Sequence, residues 1–216
     1  MNSFLFHNQS PLRFERLTGL TACLMLFAAT LAARADLLIY TDSIQIDWQD
    51  WSWFSTRDFS CTTIVHSGSS SISVSQTEAW GAFALEHANI DTSLYTDLSF
   101  WINGGPTGGQ LLMVYADSPL FNSHPQIPLP TVPANAWQQI TLSLSSLGVA
   151  NQPDFSRFAI MDRSGSGAAT FYIDDIKLIE VPEPSTVGLV STGLLGVLTV
   201  RRKNRDHKSA SVEQIR

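Results

Sequence analysis

Phe171-Tyr172-Ile173-Asp174-Asp175-Ile176-Lys177-Leu178 sets the reading of the fold. Phe171 and Ile173 alternate with Tyr172 and Asp174, and Ile176 and Leu178 resume the apolar series. A pleated strand sends successive side chains to opposite faces, so this stretch has one face for a core and one for water. The same period of two recurs upstream. Ile72 and Val74 alternate with Ser71, Ser73 and Ser75, and Ile140, Leu142 and Leu144 alternate with Thr141 and Ser143. Residues 37–40, 62–66, 80–85, 98–102, 111–115 and 155–161 are shorter strand candidates. No stretch carries an amphipathic helical period, and residues 145–149 make at most one short turn. Roughly nine or ten strands between loops of Gly, Asn, Pro and Ser predict an all-β domain, a β-sandwich of jelly-roll type, over residues 36–180.

Outside that domain the composition changes. Residues 36–180 carry Arg57, Arg157, Arg163 and Lys177 against fifteen Asp and Glu, a net charge of −11, whereas the whole chain carries −6. An acidic domain repels phosphate backbones, which argues against nucleic acid as a partner. A neutral polysaccharide, a protein or a cation remains compatible. Of the two cysteines, Cys23 lies before the domain, so Cys61 has no partner for an internal disulfide. The hydrophobic core must hold the domain, and 145 residues suffice for one.

The first 35 residues read as a secretory signal peptide. Arg13 and Arg16 precede an apolar run over 17–31, and Ala33-Arg34-Ala35 supplies small residues at the two positions a signal peptidase must accept. The expected cut follows Ala35. Leu20-Thr21-Ala22-Cys23 offers a competing lipidation site, but the apolar run continues well past Cys23.

The other end has three parts. Pro182-Glu183-Pro184 is a stiff, extended segment, because each proline fixes its own φ and biases the preceding residue away from helix. Residues 187–200 are uncharged and apolar, and Arg201-Arg202-Lys203 follows at once. A 14-residue helix spans about 21 Å against a bilayer core of roughly 30 Å, enough for a transient membrane stop and marginal for a permanent anchor. Basic residues beside an apolar segment stay cytoplasmic, so the Pro-Glu-Pro end faces outward and 206–216 is a cytoplasmic tail.

These three parts, in this order, resemble the PEP-CTERM sorting domain of Gram-negative bacteria over about residues 181–205. That resemblance implies recognition by an exosortase in the inner membrane, removal of the tail, and release to the cell surface or an exopolysaccharide matrix. The departure is the stretch after Lys203, which is longer than the family usually carries.

The domain has its own resemblance. Ile39-Tyr40-Thr41-Asp42, Trp48-Gln49-Asp50-Trp51-Ser52-Trp53, His66-Ser67-Gly68-Ser69, Phe100-Trp101-Ile102-Asn103, Trp137-Gln138-Gln139-Ile140 and the 171–176 strand stand in an order similar to galactose-binding-like jelly rolls of the carbohydrate-binding-module type. The likeness implies the fold and a glycan ligand. It also implies a structural Ca²⁺ between first and last strands, with Asp42 joining Asp174 or Asp175 and backbone carbonyls completing an oxygen shell. The alternative is that these are surface aspartates bonded to loop amides.

All six tryptophans lie in the domain. Aromatic faces stack on the C–H face of pyranose rings, so Trp48, Trp51, Trp53 and Trp80 are the candidate ligand-facing residues. Trp51 and Trp53, two apart, would share one strand face. Trp101 and Trp137 sit in apolar strand patterns and are expected in the core. No Gly-x-Ser-x-Gly elbow, His-Glu-x-x-His or phosphate loop is present, and Glu78 and Glu86 are too far apart along one strand to form a glycosidase pair. The sequence therefore predicts an exported, non-catalytic interaction protein. A structural matrix protein that binds no sugar and a small glycan-active enzyme stand as alternatives.

Overall fold

The computed structural model describes residues 35–118 and 125–182. Ala33, Glu183, Pro184, the apolar segment 187–200 and Arg201–Lys203 lie outside the described residues. Among those described, no helix is long and apolar enough to cross a membrane.

Among the described residues eleven strands form the domain: β1 (Leu37–Tyr40), β2 (Gln49–Asp50), β3 (Ser55–Cys61), β4 (Ser71–Gln76), β5 (Ala82–Ile90), β6 (Tyr95–Asn103), β7 (Leu112–Asp117), β8 (Ile127–Pro128), β9 (Trp137–Ser143), β10 (Phe155–Asp162) and β11 (Ala168–Glu180). A 3₁₀ turn, Thr92–Leu94, is capped by Asp91, whose carboxylate accepts the Ser93 amide. The first sheet runs β3-β4-β11-β6-β9, with β1 also paired to β11; the second runs β2-β5-β10-β7-β8. Every pairing is antiparallel. The result is the jelly-roll sandwich expected from the alternation.

The 13-residue β11 is the spine of the first sheet. On one side it pairs along its length with β6. On the other, β4 takes its first half and β1 its second. Phe171, Ile173, Ile176 and Leu178 are fully buried, as their alternation dictates, beside Leu98, Phe100 and Ile102 of β6 and Ile72 and Val74 of β4. Facing them across the sandwich are Phe83 and Leu85 of β5, Phe155, Phe158 and Ile160 of β10, and Leu112 and Val114 of β7. Removing one such side chain costs roughly 3–5 kcal/mol for a Phe, which is why the domain needs no disulfide. Cys61 is buried and free, with its sulfur 3.2 Å from Thr63 Oγ1.

Two expectations fail here. Residues 62–66 are not a strand; they belong to a loop between β3 and β4. Carboxylates rather than a ladder satisfy that loop's amides: His66 and Ser67 N–H donate to Asp174, and Ser69 and Ser70 N–H donate to Asp42. Trp101 and Trp137 are not core residues either. Leu98, Phe100 and Ile102 point inward, so Trp101, one residue out of step, points to the outer face, where Trp137 joins it opposite Asn103.

Candidate functional site

The outer face of the second sheet is where the sequence departs from a plain sandwich. A strand exposed on one face should alternate apolar with polar residues. On β5, β10 and β7 the outward residues are instead Ala82 and Ala84, Ala159 and Met161, and Met113 and Tyr115. They form a second apolar cluster, separate from the core, with Trp53 and Tyr115 packed against it.

Register orders these residues in rows across the sheet. Trp53 pairs with Ala82, Ala82 with Met161, Met161 with Met113, and Met113 with Pro128. In the next row the Trp51 amide donates to the Ala84 carbonyl at 3.0 Å, Ala84 pairs with Ala159, and Ala159 with Tyr115. A third row, Gln49, Glu86, Arg157 and Asp117, is polar. The alanines are fully buried beneath their larger neighbours. What meets solvent is an aromatic strip, with tryptophans at one margin, Tyr115 at the other and a polar row at one end.

Trp51 and Trp53 share this face. Trp51 is 51% exposed and Trp53 half-buried, its indole Nε1 donating to the Trp80 carbonyl at 2.9 Å. Trp80 is 54% exposed and sits at φ 62°; neighbouring Phe54, also exposed, sits at φ 46°. A left-handed backbone is costly for a bulky aromatic, and such strain persists only where the surroundings over-determine it. Here they do. The Phe54 carbonyl accepts the Thr77 amide at 2.9 Å, and a Cβ on Gly81 would come within 2.5 Å of that same carbonyl. Asp162 anchors the other side: its carboxylate accepts the Ser164, Gly165 and Gly167 amides, the Trp80 amide also reaches it, and its own amide donates to Gly81 O. Burial alone would raise the Asp162 carboxyl, but these hydrogen bonds outweigh it and hold the group below the usual carboxylate range.

Both arginines beside the strip are paired with carboxylates. Arg157 Nε donates to Asp117 Oδ2 at 2.6 Å, and Arg57 reaches Asp50 Oδ2 through Nε at 3.0 Å and Nη2 at 2.7 Å. Burial raises the Asp50 carboxyl, yet Ser52 and then Arg57 bring it below its usual value.

Trp48 does not belong to the strip. It is 6% exposed, in the core against Phe158 and beside His87, so it has no face left for a ligand. Its parity differs from that of Trp51 and Trp53, which is the signal that separates them. Nothing in strand spacing marks Tyr115 or the Ala and Met residues, because their apolar character points equally well to a core.

The expected Ca²⁺ set is arranged differently from a cation site. Asp174 Oδ2 accepts the His66 amide at 2.9 Å and the Ser67 amide at 3.3 Å, and its Oδ1 accepts the Asp175 amide at 2.8 Å. Asp175 turns, at φ 50°, to His66 Nδ1 at 2.7 Å and Ser67 Oγ at 2.7 Å. Asp42 holds Ser69 and Ser70, and their amides keep its carboxyl low. Among the described residues no three His, Cys, Asp or Glu side chains gather as metal ligands. N–H donors aimed at these oxygens do not fit a bound cation; the aspartates bond loop amides, Asp42 at the surface and Asp174 fully buried.

The two antiparallel sheets define the class, a jelly-roll module, and solved carbohydrate-binding modules are similar to it. The family 11 module of a cellulosomal cellulase of Clostridium thermocellum is 18% identical, with a TM-score of 0.48, over 71% of this chain and 99% of that one. The CBM22-1 xylan-binding domain from Paenibacillus barcinonensis is 11% identical, with a TM-score of 0.48, over 70% of this chain and all of that one. An endoglucanase of Dictyostelium discoideum is 33% identical over 147 residues, 65% of this chain. The match spans 20% of that enzyme's length. Beyond the sandwich, residues 180–203 match the PEP-CTERM protein-sorting motif.

Proposed function

We propose that this chain is an exported, non-catalytic protein whose jelly roll binds a neutral polysaccharide along the aromatic strip. The observation that carries this reading is the coincidence of Trp51, Trp53 and Tyr115 on one solvent-facing side of a sheet that has a separate core behind it, with the exposed Trp80 bonded to Trp53 through its carbonyl. Exposed apolar surface is costly, and a rimmed aromatic strip marks a surface that meets a partner. Arg57 and Arg157 at its edges are each engaged by a carboxylate, and the net charge of −11 over residues 36–180 disfavours acidic glycans. A β-1,3-1,4-linked glucan, named for a family 11 module, and xylan, named for the CBM22-1 domain, are the polysaccharides to try first.

The matched sorting motif supports secretion with a C-terminal membrane-anchor region. In this proposal signal peptidase cuts after Ala35, the 187–200 segment pauses the chain in the inner membrane of a Gram-negative cell, and an exosortase recognises Pro182-Glu183-Pro184. The processed protein then reaches the surface or matrix. Both sheets and every core residue among those described lie between Leu37 and Glu180, so residues 36–180 contain a complete core and can be studied alone. A glycan array probed with that segment, with Ca²⁺ and with chelator, should show binding to neutral polysaccharide in both. Binding to none of them would leave the structural-matrix alternative. Release of reducing ends from a bound glucan would instead favour the enzyme.

A further inference from the structure

The first sheet also has an outer face, and it carries a recess of about 210 Å³. Its lining includes Leu38 of β1, Ser99 and Trp101 of β6, Gln139 of β9, and Asp175 and Lys177 of β11. We propose that this recess is a second carbohydrate site, which takes a single neutral hexose ring. It lies on the sheet opposite the aromatic strip, and it stands whether or not the strip binds glycan.

Three observations carry this inference. The first is the wall. Trp101 borders the recess, and His66, which does not, stacks on its ring with centroids 4.0 Å apart and planes 19° from parallel. His66 is itself fixed by its Nδ1 contact to Asp175 and its amide bond to Asp174, while Trp137 meets it edge-on. The indole is therefore held in place before any ligand arrives, which lowers the entropy cost of binding. Leu38, 46% exposed, supplies the facing apolar surface.

The second is the polar set. Gln139 offers an amide donor and acceptor, Asp175 an acceptor, Lys177 a donor and Thr41 a hydroxyl, all bordering the same space. Adjacent hydroxyls of a sugar both donate and accept, so they need this mixture. Both charges are already engaged: Lys177 Nζ is 2.7 Å from Asp36 Oδ2, and Asp175 holds His66 and Ser67. A charged ligand would have to break these pairs, whereas a neutral polyol can share their remaining hydrogen-bond capacity. The third is size. The recess is smaller than the roughly 300–1,000 Å³ of ordinary ligand pockets, which suits one ring and excludes a folded oligomer.

A module with sites on opposite sheets can bridge two glycan chains and gain avidity without tighter individual contacts. The test is a two-dimensional ¹H–¹⁵N NMR titration of residues 36–180 with the methyl glycosides of glucose, galactose and mannose. At least one glycoside should shift the Trp101 indole and the amides of Ser99, Gln139 and Asp175 saturably. Gln139→Ala, at an exposed position, should keep the fold and weaken that binding about tenfold. Trp51→Ala should leave these shifts unchanged. The proposal is overturned by a Trp101 indole that no glycoside moves, by an unchanged affinity in Gln139→Ala, or by shifts that disappear in Trp51→Ala.

Discussion

Trp80 and Asp162 show how single residues serve the strip. The left-handed backbone at Trp80 costs about 1–2 kcal/mol, and the part of this exposed residue that is covered returns a similar amount. Trp80→Gly should therefore change stability by no more than about 1 kcal/mol in urea denaturation, yet weaken polysaccharide binding about fivefold or more. A parallel loss of both would mean that Trp80 serves only the fold. Asp162 is fully buried and accepts backbone amides from two turns. Asp162→Ala would strand those donors and should cost at least about 2 kcal/mol. Its carboxyl lies below the unfolded value near 3.8, so its stabilisation is complete above that pH and is lost as pH falls through the folded value. The stability gap between wild type and Asp162→Asn should accordingly shrink below about pH 4, as acid titration of the melting temperature will read. A gap constant from neutral to acid pH would refute the assignment. Asp174 runs the other way: burial raises its carboxyl, so its charged form penalises the fold at neutral pH and protonation relieves that penalty.

At the scale of the element, β11 explains both what the sequence discloses and what it hides. The inward series Phe171, Ile173, Ile176 and Leu178 is legible because burial on one face enforces period two. The three-residue step from Ile173 to Ile176, one longer than the period, marks the irregularity at Asp174–Asp175, where the β6 register shifts and Asp175 takes its left-handed φ. Parity likewise separates Trp51 and Trp53 from Trp48, and Trp101 from the core. Reading Trp101 and Trp137 by apolar context rather than by parity places them on the wrong side, and ignoring parity groups Trp48 with Trp51 and Trp53. The Ala and Met positions under the strip are illegible for a different reason. An apolar outward residue on β5, β7 or β10 looks like core until the sheets are assembled. Residues 62–66 mislead through Ile64 and Val65, whose β-propensity yields to the carboxylates that bind the loop. Gly68 sits in that loop at φ 66°, where a Cβ would lie 2.4 Å from Asp42 Oδ1. Gly68→Ala should destabilise the domain by about 1–3 kcal/mol in denaturant titration. A neutral effect would show that Asp42 does not hold the loop.

For the whole molecule, the proposal joins an address to a binding face. Replacing Pro182, Glu183 and Pro184 together should leave the tail uncut and the protein in the membrane fraction, as an immunoblot of fractionated cells will display. Normal processing of that variant would reject the exosortase reading. The binding face is the central claim, and affinity electrophoresis tests it most directly. Residues 36–180 should be retarded in gels containing soluble mixed-linkage glucan or xylan, and a Trp51→Ala/Tyr115→Ala variant with an unchanged melting temperature should run as it does without polysaccharide. Equal retardation of the two proteins would place glycan binding elsewhere and contradict the account.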